Sequence, residues 1–182
     1  MPVLFDKIDH YRLVEINKDA TSFAIDIHGI ARKSLKGVLL LFEDAFEEGK
    51  RDSELFANPA ITDISFTIDE LPNKHYSSGF KNYYQWREIS KLFLQEDSKQ
   101  IQNSNMNLLT YYTHHKFALW VDLRSTEDNS LHGSGKEQAA DKIINMFVTK
   151  NKHGTGKYVM HIYTISDARV IIKNKRLDKF EY

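Results

Sequence analysis

The chain has 182 residues, of which 41% are hydrophobic and 27% are charged, a length and composition typical of one compact soluble domain. Lys plus Arg and Asp plus Glu each number 25, so no net charge draws the whole chain to nucleic acid or to an anionic membrane. The absence of cysteine excludes disulfides, thiolate zinc sites and a cysteine nucleophile.

Most apolar runs alternate with a period of two, which predicts β-strands. The third strand in chain order is apolar on both faces, as in a strand that is covered on two sides. Between the sixth and seventh strands, the segment "NKHGTG" predicts a hairpin turn. The predicted strands are Tyr11–Asn17, Ser22–Ala31, Lys36–Asp44, Ile61–Glu70, Lys116–Ser125, Lys142–Lys150, Lys157–Ser166 and Ala168–Asn174.

After Pro72 the apolar period becomes helical, and the segment "GFKNYYQWREISKLFLQEDSKQ" predicts one α-helix over about residues 80–96. Its aromatic stripe suits the stacking of bases or sugars, but such a stripe more often packs a helix on its own sheet. We expect the Asn-rich segment "QIQNSNMN" to be a surface loop. The residues that share or flank the apolar side of the predicted helix are Tyr83, Tyr84, Trp86, Ile89, Ser90, Leu92 and Phe93.

The predicted elements amount to about eight strands and one helix without regular βα alternation. This pattern favours a sandwich over a doubly wound sheet. We therefore predict a mainly β fold, an antiparallel eight-stranded jelly-roll sandwich with one inserted α-helix. No linker or repeat divides the chain, so we predict a single jelly-roll domain over residues 1–182.

The segment "LHGSGKEQ" has the appearance of a phosphate-binding loop. A Walker loop needs two glycines separated by four residues and a hydroxyl after the lysine. Here Gly133 and Gly135 are two apart, and Glu137 follows Lys136. The sequence therefore predicts a glycine turn, not a nucleotide site.

No catalytic or metal-binding pattern is present in the sequence. Although there are eight histidines, none forms a His-x-His pair, and the adjacent His114 and His115 would point to opposite faces of a strand. His28 and His161 occupy outward strand positions, where a solvated or interface role is expected. No serine lies in a Gly-x-Ser-x-Gly elbow. We predict that the protein is not an enzyme and has no catalytic residue, cofactor or metal.

Four longer segments carry a resemblance to a known family. One joins a strand to a loop and the Tyr-x-x-Trp-Arg helix, and the last ends in a strand, an Asp-Ala step and a terminal strand. The segments are "ARKSLKGVLLLFED", "ITDISFTIDELPNKHYSSGFKNYYQWREI", "FALWVDLRSTEDNSLHGSGK" and "GKYVMHIYTISDARVIIKNKRLDKFEY". Together they resemble the C-terminal jelly roll of the double-jelly-roll viral major capsid proteins of the Polinton and adintovirus group.

The resemblance implies a structural protein. In that family each polypeptide stacks two jelly rolls side by side, and three polypeptides form a capsomer of an icosahedral shell. The implied partners are copies of the chain, as a trimeric capsomer, and neighbouring capsid subunits. The implied location is the virion after synthesis in the host cytoplasm, without direct sequence-specific binding of nucleic acid and without a transmembrane segment.

The chain is too short for two jelly rolls and begins just before the first strand of what would be the second. We expect an excised domain, a truncated or host-captured copy, or a single-jelly-roll relative. The surface that packs on the first jelly roll would then be exposed or would bind a new partner. Homo-oligomerisation is the default expectation.

Two other functions stay open at this point. The first alternative is a jelly-roll binding module for a carbohydrate or protein ligand, and the second is a metal-dependent jelly-roll enzyme. The short basic segment "KNKRLDKF" is more typical of a solvated turn than of a nucleic-acid site. The candidate interface residues are Trp86 and Arg87 on the predicted helix, and His132 and Lys136 in the glycine loop.

Overall fold

The computed structural model describes residues 2–45, 55–68, 71–72, 81–93, 108–113, 115–125, 133–173 and 176–181. Within these ranges the chain forms ten strands and two helices. In chain order they are β1 (Pro2–Asn17), β2 (Ser22–Ile27), β3 (Arg32–Asp44), β4 (Ile61–Ile68), β5 (Leu71–Pro72), α1 (Asn82–Phe93), α2 (Leu108–Thr113), β6 (Ala118–Asp122), β7 (Lys136–Gln138), β8 (Ile144–Lys150), β9 (Lys157–Lys173) and β10 (Arg176–Glu181).

The strands form two antiparallel sheets. The order is β1-β9-β3-β6 in one sheet, where β7 also pairs with β3 and β10 with β9, and β2-β8-β4-β5 in the other. Strands that follow one another along the chain often lie in opposite sheets, as do β1 and β2, β3 and β4, and β8 and β9. This wrapping is that of a jelly roll, so the predicted jelly-roll sandwich with a helical insertion is confirmed.

The segment at residues 151–156 was predicted as a hairpin turn, and that prediction is wrong. The chain does reverse there, with Gly154 and Gly156 at φ of 84° and 99°, values that suit glycine. However, β8 pairs with β2 and β4, whereas β9 pairs with β1 and β3. The turn therefore crosses between the sheets, because burial against the core and not proximity in sequence decides which strands pair.

The core lies between the sheets and is centred on β3. Val38, Leu40 and Phe42 are fully buried, and Leu39, which points to the other face of the strand, is nearly so. The prediction that this strand is covered on both sides is confirmed. Trp120 of β6 is also fully buried, and a Cβ added at Gly37 of β3 would lie 2.5 Å from its indole.

Helix α1 lies within the predicted range and contacts β6 and β4, one strand from each sheet. Its buried side chains are Gln85 and Ile89, and Trp86 is partly buried against Tyr111, with ring centroids 5.2 Å apart. Tyr84, predicted to flank the apolar side, is half exposed. The helix therefore lies against both sheets through its described buried residues. The side chains of Tyr83, Leu92 and Phe93 lie outside the described residues, so the packing of the whole aromatic stripe stays a prediction.

Short helix α2 and strands β5, β7 and β10 were not predicted. Each spans only two to six residues, too few for a periodic pattern to be visible. The Asn-rich segment that was predicted as a loop lies outside the described residues. Strand β9 is continuous where two strands were predicted, on either side of Asp167.

The six-stranded sheet is longer than its partner at one end. Strand β1 pairs with β9 from Asn17 to Pro2, whereas β3 pairs with β9 only as far as Leu35 opposite Ser166. Beyond that point β10 takes the place of β3 beside β9. Residues 2–6 of β1, residues 167–173 of β9 and all of β10 thus form what we call the three-stranded extension.

Candidate functional site

The glycine loop is anchored beside the first residues of β3, where the three-stranded extension begins. The Gly133 amide donates to Asp167 Oδ2 at 2.7 Å, and Ser34 Oγ donates to the same oxygen at 2.5 Å. The Gly135 amide in turn donates to Ser34 Oγ at 3.0 Å. The amides of the two loop glycines are therefore occupied within the chain, that of Gly133 by a carboxylate and that of Gly135 by a hydroxyl.

The charge of Asp167 is balanced by Lys36. Lys36 Nζ lies 3.0 Å from Asp167 Oδ1 and 2.7 Å from Asp6 Oδ1, which connects β3 to β9 and β1. Burial of Asp167, which is only 4% exposed, opposes its ionisation, but the hydrogen bonds from Ser34 and Gly133 and the Lys36 ammonium outweigh burial and lower its pKa. Burial also opposes the charge on Lys36, and its two carboxylate partners reverse that effect and raise its pKa.

No sequence pattern predicted the cluster of Ser34, Lys36, Gly133 and Asp167. Its one visible signal is Asp167 itself, a carboxylate in the middle of an otherwise apolar strand, which was interpreted as a break between two strands. An interior carboxylate is expected to be paired and hydrogen-bonded, but its partners come from distant parts of the chain. Only the fold brings Ser34, Lys36 and the glycine loop to it.

A cavity of about 220 Å³ opens beside the cluster. Four of its polar lining residues are engaged within the chain: Arg169 forms an ion pair with Glu181, and Ser34 is bonded to Asp167. The lining residues are Lys33, Ser34, Gly133, Asp167, Ala168, Arg169 and Glu181. The arrangement of these groups fits a structural anchor better than a ligand site.

The four candidate interface residues are distributed over separate elements. Trp86 is partly buried in the packing of α1, and Arg87 is exposed on the same helix. Lys136 is exposed at the start of β7, which lies along the same edge of β3 as β6. His132 lies outside the described residues. Their role in an interface stays a prediction.

Among the described histidines, only the rings of His10 and His161 are known to lie near each other, with centroids 5.8 Å apart. His28 is exposed, His114 lies outside the described residues, and His115 is exposed at φ of 52°. The expectation of a solvated or interface position is wrong for His161, which is 7% exposed because its Nε2 lies 3.1 Å from Glu43 Oε1 and its ring stacks on Tyr163. Across the described ranges, no three His, Asp or Glu side chains lie close enough together to hold a metal ion.

Large apolar side chains remain uncovered on the six-stranded sheet. Strand β1 is its edge strand, and in the described structure it pairs only with β9. Ile8 of β1 is 61% exposed, and Leu177 of β10 is 69% exposed. The other large apolar residues exposed on these strands and on β9 are Val3, Leu4, Leu13 and Ile172.

Helices in the described ranges are all too short or too polar to cross a membrane.

Comparison with known proteins finds similarity only among solved structures. No family model matches the chain, and no curated protein matches it. A chain in the cryo-EM structure of the Sputnik virophage is 11% identical, with a TM-score of 0.48 over 97% of this chain and 37% of that chain. The crystal structure of the mavirus major capsid protein is 8% identical, with a TM-score of 0.48 over 93% of this chain and 39% of that chain. This chain thus spans less than two-fifths of the length of the matched chain in each structure.

Proposed function

We propose that the chain is a structural protein, a viral major capsid protein or a domain derived from one, which self-associates into capsomers of an icosahedral shell. Two features support the proposal: the four segments that resemble double-jelly-roll capsid proteins, and the jelly-roll strand order in which those segments lie. Jelly rolls are common in viral capsids, although lectins and cupins share them.

The resemblance extends the proposal to finer points. It favours a protein of the Polinton and adintovirus type, a trimeric capsomer, and contacts with neighbouring capsid subunits. It also favours the virion as the location, after synthesis in the host cytoplasm. No sequence-specific contact with nucleic acid belongs to this role.

The observation that carries the proposal is the uncovered apolar side of β1. Long edge strands of monomeric proteins are usually protected by charges, proline or a covering segment. In β1 the carboxylates of Asp6 and Asp9 are bound to Lys36 and Arg32 of β3, while Leu4 and Ile8 remain exposed. An uncovered apolar edge of this length is typical of a surface that another subunit covers.

The test is light scattering of the size-separated protein over a concentration series. We expect a defined oligomer, and we expect Ile8→Lys to raise the concentration at which it forms by on the order of tenfold or more, because a buried apolar contact is replaced by a charge. Leu109→Lys is the matched control, since Leu109 is 65% exposed on α2, away from β1. Electron microscopy of the oligomer should show capsomers or closed shells.

Three results would count against the proposal. A monomer at every concentration would contradict self-association of this chain. An oligomer that Leu109→Lys disrupts and Ile8→Lys does not would place the contact on the helical side. A monomer that binds glycans would favour the alternative, a jelly-roll binding module.

A further inference from the structure

A titratable ring lies between two exposed apolar side chains on the outer face of β1. Ile8 is 61% exposed and Leu13 is 53% exposed, and His10 is exposed between them. We call these three residues the His10 row. The residues of β9 opposite the row are, in the same order, Ile165, Tyr163 and His161.

A bulge in β1 keeps a permanent cation out of the row. The register with β9 shifts between His10 and Arg12, so no residue of β9 lies opposite Tyr11. Without the bulge, strict alternation would point Arg12 to the same face as His10. Instead the Arg12 guanidinium donates to the carbonyl oxygen of Asp26 in β2 at 3.0 Å, on the side of the other sheet. His10 is therefore the only group of the row that can carry a charge.

The His10 ring lies against two rings of β9. Its centroid is 4.9 Å from that of Tyr163 and 5.8 Å from that of His161. His161 is 7% exposed, and its Nε2 lies 3.1 Å from Glu43 Oε1. A second copy that covered the row would change little around the buried His161, but it would remove His10 from water.

The carboxylates described on the outer face of β1 and β3 already contact basic side chains. These ion pairs are Asp6 with Lys36, Glu15 with Lys157 and Glu43 with His161. None of the three pairs includes His10. A proton on His10 would therefore place a positive charge beside His161 and between two apolar side chains without adding a counterion.

We propose that protonation of His10 weakens the association of two copies through β1. The proposal rests on the proposed function and specifies how the contact is regulated. A neutral imidazole loses little when it leaves water and packs beside Ile8 and Leu13, whereas burial of an imidazolium ion without a counterion is strongly unfavourable. Histidine changes its charge between about pH 5 and pH 8, so the copies should associate at neutral pH and separate in mild acid.

Light scattering over a concentration series at about pH 7.5 and about pH 5.5 tests the proposal. The concentration at which the wild type is half associated should rise on the order of tenfold or more at the lower pH. His10→Gln has no charge at either pH, so its two concentrations should be nearly equal. His10→Lys is charged at both, so it should associate weakly at both. The matched control is His28→Gln, since His28 is exposed outside the row and the variant should keep the wild-type pH dependence.

The outcomes separate the acid sensitivity from the proposed function. Circular dichroism at both pH values checks that each variant is folded. A wild-type protein that is monomeric at both pH values would overturn the proposed function and the acid sensitivity together. A wild-type oligomer of equal strength at both would overturn the acid sensitivity alone. Persistence of the pH dependence in His10→Gln, or association of His10→Lys as strong as that of the wild type at about pH 7.5, would show that His10 is not the responsible group.

Discussion

At the scale of single residues, the carboxylate of Asp167 joins three parts of the chain. It accepts hydrogen bonds from Ser34 in β3 and from the Gly133 amide, and it forms an ion pair with Lys36. Removing one member of a buried ion pair costs more than the pair contributes, because the other charge stays buried without a counterion. The stability of the glycine loop and of the β3–β9 junction should therefore depend on this one side chain.

Asp167→Asn should lower the free energy of unfolding by about 3 kcal/mol, since it leaves Lys36 with only the exposed Asp6 as partner. Urea unfolding at neutral pH measures the change. Ser34→Ala, which removes the hydrogen bonds of the Ser34 hydroxyl to Asp167 and from the Gly135 amide and keeps the ion pair, should cost about 1–2 kcal/mol. Equal effects of the two substitutions would contradict the assigned role of the charge.

The same carboxylate predicts a pH dependence. The pKa of Asp167 is lowered in the folded state, so its stabilising contribution is complete above the ordinary aspartate pKa of about 4 and is lost as pH falls through the lower folded value. The difference in stability between the wild type and Asp167→Asn should shrink as pH falls from about 6 to about 2. Urea unfolding across this range checks it, and a constant difference would be inconsistent with an ionised Asp167.

Gly37 is a second residue with a specific steric role. A Cβ at this position would lie 2.5 Å from the Trp120 indole and closer still to the carbonyl oxygen of Val121. Gly37→Ala should therefore destabilise the fold by about 2 kcal/mol or more through overpacking. Gly29→Ala is the control: Gly29 has φ of 71° but open space around it, so only backbone strain of about 1 kcal/mol applies. Chemical denaturation of both variants decides whether the larger cost is at Gly37.

At the scale of elements, a buried ammonium holds the connection between β1 and β2. Lys150 Nζ donates to the carbonyl oxygens of Lys18, Ala20 and Asn151 at 2.8–2.9 Å, and Lys150 is 2% exposed. These three bonds tie the end of β8 to the turn that carries the chain from one sheet to the other. Burial lowers the pKa of this lysine, so its charge is retained at a cost.

Lys150→Met keeps the apolar length of the side chain and removes the three hydrogen bonds. It should destabilise the fold by about 2–4 kcal/mol, because the carbonyl oxygens lose a charged donor. Lys157→Met is the control, since the ion pair of Lys157 with Glu15 is exposed on both sides and contributes little. Thermal unfolding of the two variants at equal ionic strength measures the difference.

The elements that could be predicted from sequence are those with a clear period. Strands β2, β3, β4 and β8 lie within or close to their predicted ranges because apolar and polar residues alternate or run together there. Strand β1 begins nine residues before its predicted start, since polar residues of its first half, such as Asp6 and Asp9, find partners on β3.

The candidate site was less predictable. The turn at Gly133 followed from its sequence, but the carboxylate that binds its amide lies 34 residues away along the chain. The uncovered apolar surfaces depend on which strand stands at an edge. Neither the partner of the Gly133 amide nor the position of the uncovered apolar surface can be predicted from a local segment, because the pairing of strands distant in sequence decides both.

At the scale of the whole molecule, the salt dependence of association reports which kind of contact holds the copies together. Contacts between exposed opposite charges are screened by salt, with a Debye length of about 10 Å at 0.1 M, whereas burial of apolar side chains such as Leu4 and Ile8 of β1 is not. If the uncovered apolar side of β1 forms the contact, association should hold or strengthen as NaCl rises from about 0.05 M to about 0.5 M. Light scattering at fixed protein concentration measures it. Association that weakens steeply with salt would indicate that opposite charges hold the copies together.

The pairing of β1 with β9 also determines when the first strand can fold during synthesis. Residue 2 finds its neighbour only when residue 171 is present, and β9 is also the strand that joins β1 to β3. During synthesis the start of β1 must therefore remain without its partner until residue 171 has left the ribosome. Contacts so distant in sequence slow folding, so the nascent chain passes through a long interval with its apolar edge open to chaperones or to other nascent copies.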